Sequence, residues 1–438
     1  MRQRFIWRAK IYELADRALL IAKYDLMKRM KSINPTEEGF LLSAARVVTP
    51  TGVMDKASVL IERGRVARIF GDGEAAPPAR ETFDLRKATL LPGFLDVHIH
   101  GATGVDTMEA STDDLHRVAR FLARHGVTAW LPTFVPAPDE DYLREARAIS
   151  QLIIEQDARP EAEARALGVH YEGPFVNRAQ CGALRTQYFR SFKGARDLDF
   201  LARVEGAESK VTHMMTLAPE IEGGIELVRE LHKRGWIVAI GHTRAELDVL
   251  NEALAAGAHH MTHFMNAMAP LHHRAPGPIG WGLVRDDVTC DVIADGVHVD
   301  PLMLKLALRC KTRERLLLIS DAVAPAGLGD GEFNVWDETI TVKDGRTNNA
   351  RGHIAGSVIT MHDAVRMMMR LDAPIQDVAR MASLNPARLL KVDKDYGSIE
   401  EGKRADLVAL DEAGNVRLTL IGGVLAFDSR AVKTSAPV

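Results

Sequence analysis

Between residues 94 and 395, strand-like and helix-like segments alternate, and this alternation limits the fold more than any other feature of the chain. The strand segments are Phe94–Ile99, Thr128–Pro132, Leu167–Tyr171, Val211–Leu217, Ile237–Ile240, His259–Thr262, Thr289–Ile293 and Leu316–Ser320. Most are short, apolar and rich in β-branched residues, as strands covered on both faces are. Helical patterns run over Thr112–His125, Asp139–Gln156, Ile225–Arg234, Glu246–Ala255, Pro301–Arg309 and Ser357–Arg370. Eight such strands over about 300 residues predict an α/β fold, a parallel (β/α)8 TIM-like barrel. A doubly wound open sheet is the competing architecture, but no G-x-G-x-x-G follows the first strand.

The two ends of the chain read differently. Leu41–Val48, Ala57–Glu62 and Arg65–Phe70 form short strands separated by turn residues, and Gly397–Ile399, Asp406–Leu410 and Val416–Ile421 have the same character. Chain termini often lie close together. The expectation is a small β-sandwich domain built from 40–93 and 396–432, with the barrel over 94–395. Residues 1–39 are set apart as a basic N-terminal extension. Residues 1–31 carry nine Lys/Arg against Glu13, Asp16 and Asp25. A basic amphipathic helix can bind a membrane surface or a partner, but the favoured reading is a start assigned upstream of Met27 or Met30.

A net charge of −3 recruits neither nucleic acid nor an anionic membrane. No apolar run approaches a membrane span. Cys181, Cys290 and Cys310 are scattered and odd in number, so no disulfide framework is expected and a reducing cytoplasm is the expected compartment.

In a parallel barrel the chemistry sits at the C-terminal ends of the strands. His98 and His100 are two apart on one strand and so face one side. An isolated H-x-H is also compatible with an ordinary strand-to-loop junction. Later strands add Glu172, His242, His263 and Asp321, each at or just past the end of a strand segment. A divalent cation held by Glu and His, with an open position for water, suits hydrolysis. Asp321 then fits the general base, and later the acid for the leaving group.

Several motifs together resemble the N-acetylglucosamine-6-phosphate deacetylases of the amidohydrolase superfamily. They are PGFLDVHIHG from Pro92, VHYEGPF from Val169, GHT from Gly241, THFMNAM from Thr262 with the following Arg274 loop, and IADGVHVD from Ile293. SDAVAPAG from Ser320, AGS from Ala355, SLNPA from Ser383 and GSIEEGKRADLV from Gly397 complete the set. The resemblance covers about residues 40–427. It implies an amide hydrolase that removes acetyl from an amino-sugar phosphate, with a cation on Glu172, His242 and His263 and with Asp321 as acid/base. Zn is the expected ion, Fe the alternative, at one or two per subunit, with His98 and His100 offering the second site. It implies sugar-phosphate contacts from Asn266, the Ala267 backbone and His298. It also implies a homodimer, in which Arg274 contacts phosphate, in a neighbouring subunit's site in one arrangement.

One position departs from the resemblance. A His about twelve residues after the glutamate helps bind the acetyl carbonyl in that family, and here the turn Gln180–Leu184 ends in Leu184, which has no donor. Another donor such as Arg185, a different substrate or reduced activity would each account for it. His170 is expected to support the site without ligating, Asp295 to shape a turn, His213 to be structural, and Met265 and Met268 to fill core.

Overall fold

The computed structural model describes residues 39–430, apart from 80, 159–161, 208–209 and 337. The extension over residues 1–38 therefore lies outside the described residues. Strands β1 (Phe40–Thr49), β2 (Gly52–Asp55), β3 (Ser58–Glu62), β4 (Arg65–Phe70) and β5 (Thr82–Pro92) open the chain. The barrel strands follow: β6 (Phe94–Ile99), then, after the small hairpin β7 (Gly101–Ala102) and β8 (Val105–Asp106), β9 (Val127–Phe134). The short β10 (Arg165–Ala166) precedes β11 (Gly168–Glu172), β12 (Thr212–Leu217), β13 (Ile237–Ile240), β14 (Ala258–Met261), β15 (Thr289–Ile293) and β16 (Leu316–Ile319). A meander of β17 (Gly331–Val335), β18 (Glu338–Lys343) and β19 (Arg346–Asn348) comes next. Strands β20 (Leu407–Asp411), β21 (Val416–Ile421) and β22 (Val424–Asp428) end it.

The end strands form one sheet in the order β22-β21-β20-β5-β1-β3-β4, with β2 on β1. The C-terminal strands thus enter through β20, antiparallel to β5. Leu42, Val59, Ile61, Leu90, Leu407 and Leu418 form its core, so both chain ends are needed to bury it. This is the small β-sandwich; the parallel strands form the barrel, and the β7–β8 hairpin and the β17–β19 meander are separate small sheets.

The barrel strands pair in parallel in the order β6-β9-β11-β12-β13-β14-β15-β16. β16 returns to β6 at the top. The Asp321 N–H donates to the His98 carbonyl at 3.0 Å and the His100 N–H to the Ala322 carbonyl at 2.8 Å. Inside, Val97, Leu131, Met214, Ala239, Ile293 and Ile319 pack together, one from each of six strands. A larger cluster fills the space between strands and outer helices.

Local sequence sets the helix limits. Ser111 caps the helix Thr112–Arg124, with Asp114 completing a capping box. The last long helix begins at Met361 and not at Ser357, because Thr360 caps it through Asp363 N–H. Gly397–Ile399 is not a strand. Gly397 sits at φ +89°, and a Cβ there would lie 2.7 Å from Ala387 Cβ. No helix among the described residues is long and apolar enough to cross a membrane.

Candidate metal centre and substrate cavity

Glu172 ends β11, and His242, His263 and Asp321 stand just past the ends of β13, β14 and β16. His242, His263 and Asp321 have positive φ of 48°, 32° and 50°. Non-glycine residues rarely adopt this backbone, and it turns each side chain back over the strand ends. Gly241 is needed before His242, since a Cβ there would lie 2.6 Å from Thr216 Cγ2.

Glu172 Oε1 lies 2.8 Å from His242 Nε2 and 3.0 Å from His263 Nε2, and the two nitrogens are 3.1 Å apart. A second group lies beside the first. His98 Nε2 and His100 Nε2 are 3.1 Å apart, and Asp321 Oδ1 is 3.4 and 3.3 Å from them. Glu172 Oε2 is 3.3 Å from His100 Nε2, so one carboxylate borders both groups. All six residues are buried, and both triads are compact enough to hold a metal ion.

The donor chemistry fits a cation. His242 Nδ1 donates to the Gln180 carbonyl at 2.7 Å. A neutral ring then has only a lone pair at Nε2, which faces the Glu172 carboxylate, another lone-pair group. A positive charge is required between them, as a proton or as a metal ion. The same field acts on the other rings. Burial alone would lower the pKa of His263, but the Glu172 carboxylate raises it to about 9. Burial likewise opposes charge on His100, and Asp321 and Glu172 raise it to about 10. Burial would raise Glu172, and hydrogen bonds from His100, His242 and His263 hold it well below the usual carboxylate range.

Supporting residues hold these groups. Asp291 accepts the backbone N–H of His263 and, at 2.8 Å, bonds His260 Nε2. Asp96 accepts from Ser320 Oγ at 2.5 Å, tying β6 to β16, and burial lifts its carboxyl to about 7. Sequence reasoning assigned a role to neither, although an Asp inside Phe94–Ile99 and inside Thr289–Ile293 is a signal in itself. His170 uses Nδ1 on the Val97 carbonyl at 3.0 Å and Nε2 on Thr216 Oγ1 at 2.7 Å, and it stays outside both triads. His213 Nε2 accepts the Val204 N–H at 3.1 Å, a structural bond.

A cavity of about 330 Å³ opens over both triads, and His100, Glu172, His242, His263 and Asp321 border it. Asn266, Ala267 and His298 line it as well. The Asn266 Nδ2 donor is buried and has no protein partner. Asp295 accepts the N–H groups of Val297 and His298 and holds His298 Nδ1 at 2.6 Å. It is a turn-forming residue that orients an imidazole, and it belongs to neither metal triad. Leu184 lines the cavity and is buried. Arg274 does not line it: its side chain is exposed on the loop after Met268 and bonds His273 Nε2 at 2.8 Å. Trp336 and His353, from the segment after β16, also line the cavity, and sequence reasoning passed over both.

A parallel barrel with carboxylates and imidazoles gathered over its strand ends defines a barrel hydrolase built around a metal-binding centre. The chain belongs to the amidohydrolase family, whose model matches residues 89–426. It is 34% identical over 400 residues to the N-acetylglucosamine-6-phosphate deacetylase of Bacillus subtilis, covering 90% of this chain and 98% of that one. It is 37% identical over 388 residues to the N-acetylgalactosamine-6-phosphate deacetylase of Escherichia coli O157:H7, covering 88% and 99%. A solved structure of the Mycobacterium smegmatis N-acetyl-D-glucosamine-6-phosphate deacetylase, a variant in complex with N-acetyl-D-glucosamine-6-phosphate, superposes with a TM-score of 0.79 at 32% identity. That match covers 89% of this chain and 99% of the solved one.

Proposed function

We propose that this chain hydrolyses the acetamide of N-acetylglucosamine-6-phosphate to glucosamine-6-phosphate and acetate. The observation that carries the reading is the Glu172–His242–His263 triangle, with Asp321 beside it, opening into the same cavity as Asn266 and His298.

Glu172, His242 and His263 would hold the ion, with Zn expected from the mixed N/O donor set, and His98 and His100 with Asp321 offer a second position. When bound, the ion polarises the amide carbonyl and makes water more acidic. Asp321 takes the proton of the attacking water and delivers it to the amide nitrogen as the C–N bond breaks. Asn266 donates through Nδ2 and His298 presents an imidazole held by Asp295; both, with the Ala267 backbone, bind the sugar phosphate. Arg274 supplies a further phosphate contact from the neighbouring subunit of a homodimer. Its exposure, away from its own cavity, supports contact in trans.

The galactosamine epimer is the second reading, because the 37%-identical relative bears that name. Acetate release from both epimers, with metal analysis of the same sample, tests the proposal. Turnover of the glucosamine substrate with at least one ion per chain is expected. Preference for the other epimer would move the assignment, and no acetate from either would remove it.

A further inference from the structure

His242 stands at φ +48°, so its backbone needs support from outside its own strand. That support comes from two sides. The His242 carbonyl accepts the Asn177 N–H at 3.0 Å, from the loop after β11. On the other side, the next residue, Thr243, is fully buried. Its N–H donates to the Ala267 carbonyl and its own carbonyl accepts the Ala269 N–H, both at 3.1 Å.

One side chain joins these supports. Glu220, half-buried on the loop after β12, accepts at Oε1 from Asn177 Nδ2 at 2.8 Å and from the Arg244 N–H at 2.6 Å. Its Oε2 accepts from Thr243 Oγ1 at 2.6 Å. Asn177 in turn caps the 3-10 turn Arg178–Gln180, with Oδ1 on the Ala179 N–H at 2.9 Å and its carbonyl on the Gln180 N–H at 2.9 Å. The turn ends in the carbonyl that takes His242 Nδ1. Glu220 thus reaches His242 by two routes. One runs along the backbone through Thr243 and Arg244, the other to the ring through Asn177 and Gln180. Glu220 itself belongs to neither triad and does not line the cavity.

Resting on the metal-centre reading above, we propose that Glu220 is a positioning residue for His242 and thereby sets the affinity of the Glu172–His242–His263 site for its ion. A carboxylate offers about four lone-pair sites on two oxygens, so one side chain serves all of these donors. Bonds to a charged acceptor are also the stronger kind. Asn177 holds the ring side alone and Thr243 the backbone side alone. Only Glu220 locks the strained backbone and the ring's partner together.

Zinc affinity of the full chain, by competition with a chromophoric chelator, tests this in wild type, Glu220→Ala, His242→Ala and the double variant. Glu220→Ala should weaken zinc binding about 10- to 100-fold, the usual effect of losing a partner that orients a ligand. In the His242→Ala background the same change should cost less than about threefold, because the ligand it serves is gone. Glu220→Gln keeps an acceptor for Asn177 and Arg244 and can donate to Thr243 Oγ1, so it should recover most of the loss. Equal losses in both backgrounds would mean general loosening of the barrel and would overturn the proposal. So would wild-type affinity in Glu220→Ala, or no recovery in Glu220→Gln. Should Glu220→Ala fail to fold, Asn177→Ala, which cuts the ring route and leaves Glu220 in place, is carried through the same cycle and judged alike. Wild type that binds no zinc would instead remove the metal-centre reading. His242→Ala that binds zinc as tightly as wild type would remove His242 from the ligand set, and the positioning role with it.

Discussion

His242 Nε2 lies 2.8 Å from Glu172 Oε1 while the other ring nitrogen is committed to the Gln180 carbonyl. One residue thus joins a carboxylate at the end of β11 to the loop that carries Leu184. The Gln180 bond sets the tautomer, and the free lone pair points at the centre. The Gln180 bond therefore fixes the ring in an orientation suited to a cation at this centre.

His242→Ala and His263→Ala should each lower bound metal and turnover together. Loss of a partner that merely orients a ligand typically costs ten- to a hundredfold; loss of a ligand itself should cost more. Metal stoichiometry by atomic spectroscopy, unchanged in both variants, would remove these residues from the ligand set.

Asp321→Asn should cut turnover by about 10²- to 10⁴-fold, the usual worth of a positioned acid/base. The variant should keep at least one ion per chain, because Glu172, His242 and His263 are untouched. Asp321 Oδ1 is 3.3 Å from His100 Nε2, so a second ion, where present, is the one at risk. Turnover within tenfold of wild type would take Asp321 out of the mechanism.

Lys311 tests the frame rather than the chemistry. Its buried ammonium donates to the carbonyls of Gly282, Arg285 and Val288 at 2.9, 2.5 and 2.7 Å. These carbonyls lie at or just past the C-terminal end of the helix Gly277–Val284, where a cation is favoured. Lys311→Met keeps the stem and removes the donors. It should lower unfolding free energy by about 1.5–3 kcal/mol, in line with lost hydrogen bonds to a charged group. An unchanged midpoint in urea would mean that solvent satisfies those carbonyls.

The barrel was legible because strands such as Leu316–Ile319 are apolar on both faces and end in polar residues. The centre was legible for the same reason, since Glu172, His242, His263 and Asp321 interrupt that pattern at one rim. The meander was not, although Asp344-Gly345 between alternating segments is a hairpin signal. Its strands are half exposed, so their apolar residues give a weak pattern. Trp336 was lost with it. Asp291 and Asp96 escaped notice because their partners, the His263 N–H and Ser320, are distant in sequence and meet them only in the folded barrel. Arg274 was read as a phosphate contact, and its position outside its own cavity emerges only in three dimensions.

That position shapes the last prediction. Arg274 stands on the exposed loop Leu271–Pro276, bonded to His273 and away from the cavity of its own chain. A guanidinium gives phosphate a planar, two-pronged match that Lys lacks. Such charge-assisted bonds are worth about 1.5–3 kcal/mol. Arg274→Ala should therefore lower kcat/KM on the phosphorylated substrate by roughly ten- to a hundredfold, and leave any activity on the unphosphorylated sugar nearly unchanged. With the arginine serving the neighbouring subunit, mixing Arg274→Ala chains with Asp321→Asn chains should restore activity. In the mixed dimer one site draws an intact Asp321 from one chain and an intact Arg274 from the other. Equal loss on both substrates would assign Arg274 to the fold. Selective loss without complementation would place its phosphate contact within one chain, reached by a movement of the 271–276 loop.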